Sequence, residues 1–223
     1  MKKLLVVGIL LFVTGCNVFA DQEITEEAKA YKQNFEIIGK EKEALIGDIH
    51  PDIFEPAIEE KQSEEANVLF IDHKADKPYQ VPTGRYSISG EGTGYIYLYD
   101  GQENLVYQEF IAYGIESVEV DIKDDYDFRF NGLERVALVE VEPEVKEVLS
   151  PGIWEVGIHI DPGVYKVSGE GYGYLKLLSN QGDHQLFEFL GSAFTETEIT
   201  IEFSEKEKVI ITGLSEVVLE LVQ

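Results

Sequence analysis

Two periods of hydrophobic and polar residues divide this chain, and the change falls near residue 67. Before it, Ile24, Ala28, Tyr31, Phe35, Ile38 and Leu45 recur at spacings of 4, 3, 4, 3 and 7 among Glu and Lys. That spacing predicts an amphipathic helix over 24–46. Gly47 is its expected stop, and Gly39 weakens its middle by about 1 kcal/mol relative to alanine. Pro51 and Pro56 bracket a turn or short helix, and 59–65 reads as solvated. From Asn67 onward the period is two. Tyr86 and Ile88 alternate with Arg85, Ser87 and Ser89, and Val118, Val120 and Ile122 alternate with Glu119 and Asp121. Ile199, Ile201 and Phe203 repeat the pattern later. Such alternation predicts half-buried antiparallel strands.

Turn signals break these runs at Gly90-Glu-Gly92, Asp100-Gly101 and Asn131-Gly132. They do so again at Gly169-Glu-Gly171, Gln181-Gly182-Asp183 and Thr212-Gly213. The second set is a copy of the first. Gly84-Arg-Tyr-Ser-Ile-Ser-Gly-Glu-Gly-Thr-Gly-Tyr95 returns as Gly163-Val-Tyr-Lys-Val-Ser-Gly-Glu-Gly-Tyr-Gly-Tyr174, an offset of 79. Chance does not keep so many glycines in phase, so the chain carries an internal duplication. Gly132-Leu133, Val136 and Leu138 meet Gly213-Leu214, Val217 and Leu219 at an offset of 81, so the copies match to their last strand. The expected fold is all-β: two tandem small antiparallel β-sandwich (jelly-roll-like) repeats, preceded by an N-terminal amphipathic helix. The expected divisions are a signal segment 1–15, an acidic helical spacer 16–66, a first repeat 67–142, a linker 143–152 and a second repeat 153–223. One shared barrel is the rival to two domains. Units this small gain from burying surface against each other.

The start of the chain bears on location. Lys2-Lys3 precede an apolar run from Leu4 to Val13, too short to span a bilayer and placed as a signal segment is. Val13-Thr14-Gly15-Cys16 follows and resembles the lipobox of bacterial lipoproteins. That resemblance implies cleavage before Cys16 and a diacylglyceryl thioether on it, the palmitate-type anchoring that holds a protein stably at a membrane. An ordinary secretory peptide is the plainer alternative. Cys16 is the sole cysteine, which excludes an intramolecular disulfide. The net charge is −25; removing residues 1–15 takes away two lysines and leaves 16 basic against 43 acidic residues, a charge of −27. Such a charge repels nucleic acid and anionic headgroups, leaving lipid chains as the means of attachment and a solvated acidic surface as its plain meaning. The helical stripe is then a spacer, or a docking element for a partner.

Trp154-Glu-Val-Gly-Ile-His-Ile-Asp-Pro-Gly-Val-Tyr165 carries a further resemblance, through Val156, Gly157, Ile160, Pro162, Gly163 and Tyr165. The pattern Val-Gly-x-x-Ile-x-Pro-Gly-x-Tyr looks like a β-repeat of secreted and lipid-anchored proteins of Gram-positive bacteria. Only Val81, Gly84 and Tyr86 of this opening persist in the first copy. The resemblance covers about residues 75–222 and implies fold and a surface location, without an activity. His159 stands where an acidic residue is usual, at what is expected to be an exposed strand position.

Candidate chemistry is sparse. Gly90-x-Gly92-x-Gly94 is followed by the strand Tyr95–Tyr99, not by the helix that a phosphate loop needs. It reads as a turn or bulge. His50, His73, His159 and His184 are scattered singly, which favours surface histidines over a zinc site. Asp121, Asp124, Asp125 and Asp127 lack the register of a calcium loop, and the second copy has lysines there. No metal, cofactor or catalytic residue is expected. The asymmetry worth following is aromatic. Tyr95, Tyr97 and Tyr99 share one strand face, where the second copy has Tyr174, Lys176 and Leu178. Exposed in a row, such rings stack on sugars or peptides; the plain alternative is that packing covers them. The expected role is a non-catalytic binding or structural module of the cell envelope, with wall glycan, peptide or a surface protein as partner. The rivals are an envelope enzyme using Glu91 and Glu170, and an assembly subunit docking through the N-terminal helix.

Overall fold

The computed structural model describes residues 24–61, 68–72, 78–191 and 197–222. The signal segment, Cys16 and His73 lie outside them. The protein is mostly β. Among the described residues twelve strands form one mixed sheet: β1 (Val68–Asp72), β2 (Tyr79–Gln80), β3 (Gly84–Tyr99), β4 (Leu105–Ile111), β5 (Ser117–Ile122), β6 (Asp127–Glu140), β7 (Val148–Leu149), β8 (Gly152–Glu155), β9 (Gly163–Leu178), β10 (Gln185–Leu190), β11 (Thr197–Phe203) and β12 (Lys208–Leu221).

The pairing of the first copy recurs in the second. β3 runs antiparallel to β6 along its length, while its first half also pairs β5 and its second half pairs β4. β9 does the same with β12, β11 and β10. The glycine motif sits at the changeover. It is a bulge inside one 16-residue strand, not a turn between two, with register shifts at Glu91/Gly92 and Gly92/Tyr95. Glycine is required because the strands nearly touch there. A Cβ on Gly94 would lie 2.1 Å from the Asn131 carbonyl, and one on Gly173 would lie 2.1 Å from that of Thr212. The bend lets each long strand pair bury alternate residues in its own core. Tyr86, Ile88, Ile96, Leu98, Val118 and Val136 belong to the first core; Tyr165, Val167, Leu175, Leu177, Ile199 and Val217 belong to the second. Tyr86 and Tyr165 even place their hydroxyls alike, each donating to a carbonyl four residues back, that of Pro82 and of Asp161, both at 3.0 Å.

Three expectations change. The 143–152 stretch is not a free linker: β7 pairs with β12, and Leu149 is fully buried in the second core. The single helix over 24–46 is two short ones, α1 (Glu26–Asn34) and α2 (Gly39–Ile46). Between them Phe35 takes a left-handed conformation (φ 51°), and the chain pairs with the edge of β10. Phe35 C=O accepts from Glu188 N–H (3.1 Å) and Ile37 N–H donates to Leu186 C=O (2.9 Å). These bonds replace helical ones, so the stripe breaks where the second copy offers partners. Gly47 does end α2, with φ 67°. The 24–61 segment is thus a strap laid on the β structure, not a free spacer. Third, His159 is buried, and its Nδ1 accepts from Glu155 N–H at 3.0 Å. Burial, then the charges of Arg85, Lys208 and Lys146, depress its pKa to about 2, so it stays neutral.

The two copies meet through a parallel contact of β5 with β8, where Glu119 faces Gly152. Around it lies a buried polar seam. Arg85, 2% exposed, donates to Asp121 Oδ1 (2.9 Å) and to the Ile153 carbonyl (3.2 Å), and stacks 4.5 Å over Trp154. Lys146 pairs with Glu119 at 2.9 Å, and Lys208 with Glu155 at 2.5 Å. The strap ends here, with Ala57 N–H donating to Glu155 (2.6 Å) and Ile58 N–H to Asp121 (3.0 Å).

Candidate functional site

Strand alternation sends Ile96 and Leu98 into the first core and Tyr95, Tyr97 and Tyr99 to the opposite face. Their rings line up along the strand. Tyr95 and Tyr97 stack with centroids 6.0 Å apart and planes 25° from parallel; Tyr97 and Tyr99 follow at 6.2 Å and 28°. Phe110, opposite Tyr95 on β4, extends the row at 4.7 Å. Tyr95 and Phe110 are exposed at 43% and 37%, and Tyr97 and Tyr99 are half-buried. The far end is closed: Arg129 lies 4.6 Å over the Tyr99 ring, held by Glu103 and Asp127. Tyr95, Tyr97 and Phe110 are therefore the accessible rings, and Phe110 is the member that strand-by-strand reading missed. Its signal was cross-strand register with Tyr95, which needs the β4 pairing to see.

The equivalent face of the second copy is covered. Lys176 Nζ donates to the carbonyls of Leu45 (2.9 Å) and Ile46 (3.3 Å) at the C-terminus of α2, where a cation suits the helix dipole. Tyr31 donates to Glu188 Oε2 at 2.6 Å, a bond that pushes the phenol up to about 12. Leu178, in the place of Tyr99, is fully buried. Both helices thus lie on the second copy, against β11 and β10. One scaffold face is roofed and its duplicate is an open aromatic row.

The two sheet edges differ in the same way. Register places Glu109 of β4 where the second copy has the core residue Phe187, since Ile96 faces Glu109 and Leu175 faces Phe187. Glu109 is buried and accepts from Phe110 N–H (2.9 Å), from the Tyr107 hydroxyl (3.4 Å) and from the backbone of Gly213 in the other copy. Burial pushes its carboxyl above the usual range. It closes the edge that the strap closes on β10.

The other candidates fall apart as sites. Glu91 is exposed and lies 3.7 Å from Arg135, and Glu170 is exposed on its own strand. Asp121 binds Arg85, Asp124 accepts from Thr83 and Asp127 holds Gln80 and Arg129, so these three aspartates point to separate protein donors. The described histidines are not the free surface residues expected. His50 contacts Asp100 at 3.2 Å and caps the short helix Pro51–Phe54, while His184 stacks on Phe54 at 6.1 Å. Asp100, held mainly by the Asn104 side chain, is lowered to about 2.

No protein-family model matches the chain, and no curated protein matches it.

Proposed function

We propose that the chain is a lipid-anchored bacterial envelope protein, a non-catalytic binding module whose open tyrosine face takes cell-wall glycan. In this reading Cys16 carries the lipid, and the protein sits on the outer face of the cytoplasmic membrane. Residues 67–142 and 153–223 form tandem β-sandwich repeats of the Gram-positive Val-Gly-x-x-Ile-x-Pro-Gly-x-Tyr type. The observation that carries it is the uncovered row of Tyr95, Tyr97 and Phe110, on a face that the strap roofs in the second copy. Aromatic rings laid flat along a strand offer apolar faces to sugar rings and hydroxyls at the rim for hydrogen bonds. The strap also sets the reach of the anchor. Eight residues lie between Cys16 and Thr25, the cap of α1, so the start of the strap stays within about 30 Å of the lipid.

The carboxylate-hydrolase reading is weaker, because Glu91 and Glu170 are exposed on separate strands and Glu109 is tied between the copies. Docking of another subunit through the 24–46 stripe is weaker too, since Tyr31 and Phe35 are engaged on the second copy. Co-sedimentation with purified wall glycan tests the proposal. The full chain is expected to bind saturably, and Tyr97→Ala to abolish binding while the melting temperature stays within about 2 °C. Undiminished binding by the variant overturns it.

A further inference from the structure

A second surface lies where the copies face each other. A cleft of about 670 Å³ opens between Tyr113-Gly114-Ile115, at the β4–β5 turn, and the glycine motif of the second copy. That volume is in the range of sites for small organic ligands and far exceeds what a lone ion fills. Tyr113 is fully exposed and Tyr172 is 68% exposed, so two aromatic rings stand at it, one from each copy. Gly169, Gly171, Gly191 and Gly213 line it.

The charge of this cleft departs from its duplicate. At the bulge of the first copy, Glu91 is directly opposite Arg135, and their charges lie 3.7 Å apart. At the bulge of the second copy, Glu170 is directly opposite Glu216, and both line the cleft. Like charges in that relation destabilise a sheet, and the arginine alternative exists in the other copy. Among the described residues neither carboxylate has a cationic partner. A cation brought from outside relieves the pair, and the tyrosine faces add to its binding. The surrounding net charge of −25 draws such a ligand in.

We infer that this inter-copy cleft binds a lysine-bearing stretch of polypeptide, its ammonium held between Glu170 and Glu216 and its stem against Tyr113 and Tyr172. The proposal is independent of the glycan-binding face and of the lipid.

Titration of the full chain with tri-lysine peptide tests it, followed calorimetrically in moderate salt, with tri-glutamate as the control ligand. Glu216→Arg rebuilds the pairing of the first copy, so it is expected to keep the fold and raise the melting temperature slightly. It is expected to weaken tri-lysine binding at least about tenfold, and Tyr172→Ala at least about threefold. Glu134→Arg makes the same charge change on exposed strand surface of the first copy, and its effect is expected to stay below about twofold. No saturable tri-lysine binding overturns the inference. So does equal weakening by Glu216→Arg and Glu134→Arg, which is diffuse attraction to an acidic protein, or binding that survives either cleft variant.

Discussion

Arg85→Ala is expected to lower unfolding stability by roughly 3–5 kcal/mol, read as a fall in the urea midpoint at unchanged slope. Arg85 is almost fully buried, and its guanidinium serves four partners at once: the Asp121 carboxylate, the Glu119 carboxylate at 3.8 Å, the Ile153 carbonyl and the face of Trp154. Truncation leaves the Ile153 carbonyl without its charged donor and Asp121 with only the Ile58 N–H at 3.0 Å. Removing a buried charged donor costs more than the lost attraction alone, because its half-buried partners are only partly rehydrated. Arg85→Lys separates charge from geometry. It keeps the cation but lacks the fork and the flat stacking surface, so an intermediate loss is expected. The seam joins the copies, so Trp154 emission is expected to shift to the red in Arg85→Ala before global unfolding. A variant as stable as the parent, with unchanged emission, means that the seam does not hold the copies together.

Gly173→Ala is expected to cost more than about 4 kcal/mol and to reduce the yield of folded protein sharply. The added methyl would sit 2.1 Å from the Thr212 carbonyl, 2.8 Å from the Gly213 carbonyl carbon and 3.0 Å from its Cα. All three are backbone atoms, so no rotamer change relieves the clash. β9 and β12 must part, and Leu175 and Ile211 next to the bulge leave their core positions. Gly182→Ala is the comparison. Gly182, unlike Gly173, has positive φ (84°), but an added Cβ there meets nothing within 4 Å. Its cost is conformational only, about 1–2 kcal/mol. Thermal melts of the two variants distinguish close strand crossing from ordinary backbone strain. Equal losses contradict the crossing.

The β pattern was legible because alternation reports which residues share a face, and the faces came out as Ile88, Ile96 and Val120 require. Alternation does not report what covers a face. Arg85 and Tyr97 both point away from the first core, yet one is sealed beneath Trp154 and the other is left open. That outcome depends on how the second copy and the strap lie, through contacts such as Lys176 with Leu45, 131 residues apart in sequence. Gly90-Glu-Gly92 was ambiguous for a local reason, since hairpin turns and bulges both need glycine. Gly132, the partner at the crossing, decides for the bulge. The 24–46 stripe misled because Phe35 and Ile37 find edge hydrogen bonds on β10 that no local rule foresees. His159 misled in a similar way, because its chain turns over Glu155 instead of continuing as exposed strand.

The binding reading presupposes that the chain reaches the outside of the cell on a lipid, and fatty-acid labelling of growing cells measures that directly. The full chain is expected to incorporate labelled palmitate, to fractionate with membranes and to give an intact mass lacking residues 1–15 with diacylglycerol on Cys16. Cys16→Ser is expected to lose the label. An unlabelled polypeptide that retains residues 1–15 and stays in the soluble fraction would contradict the account.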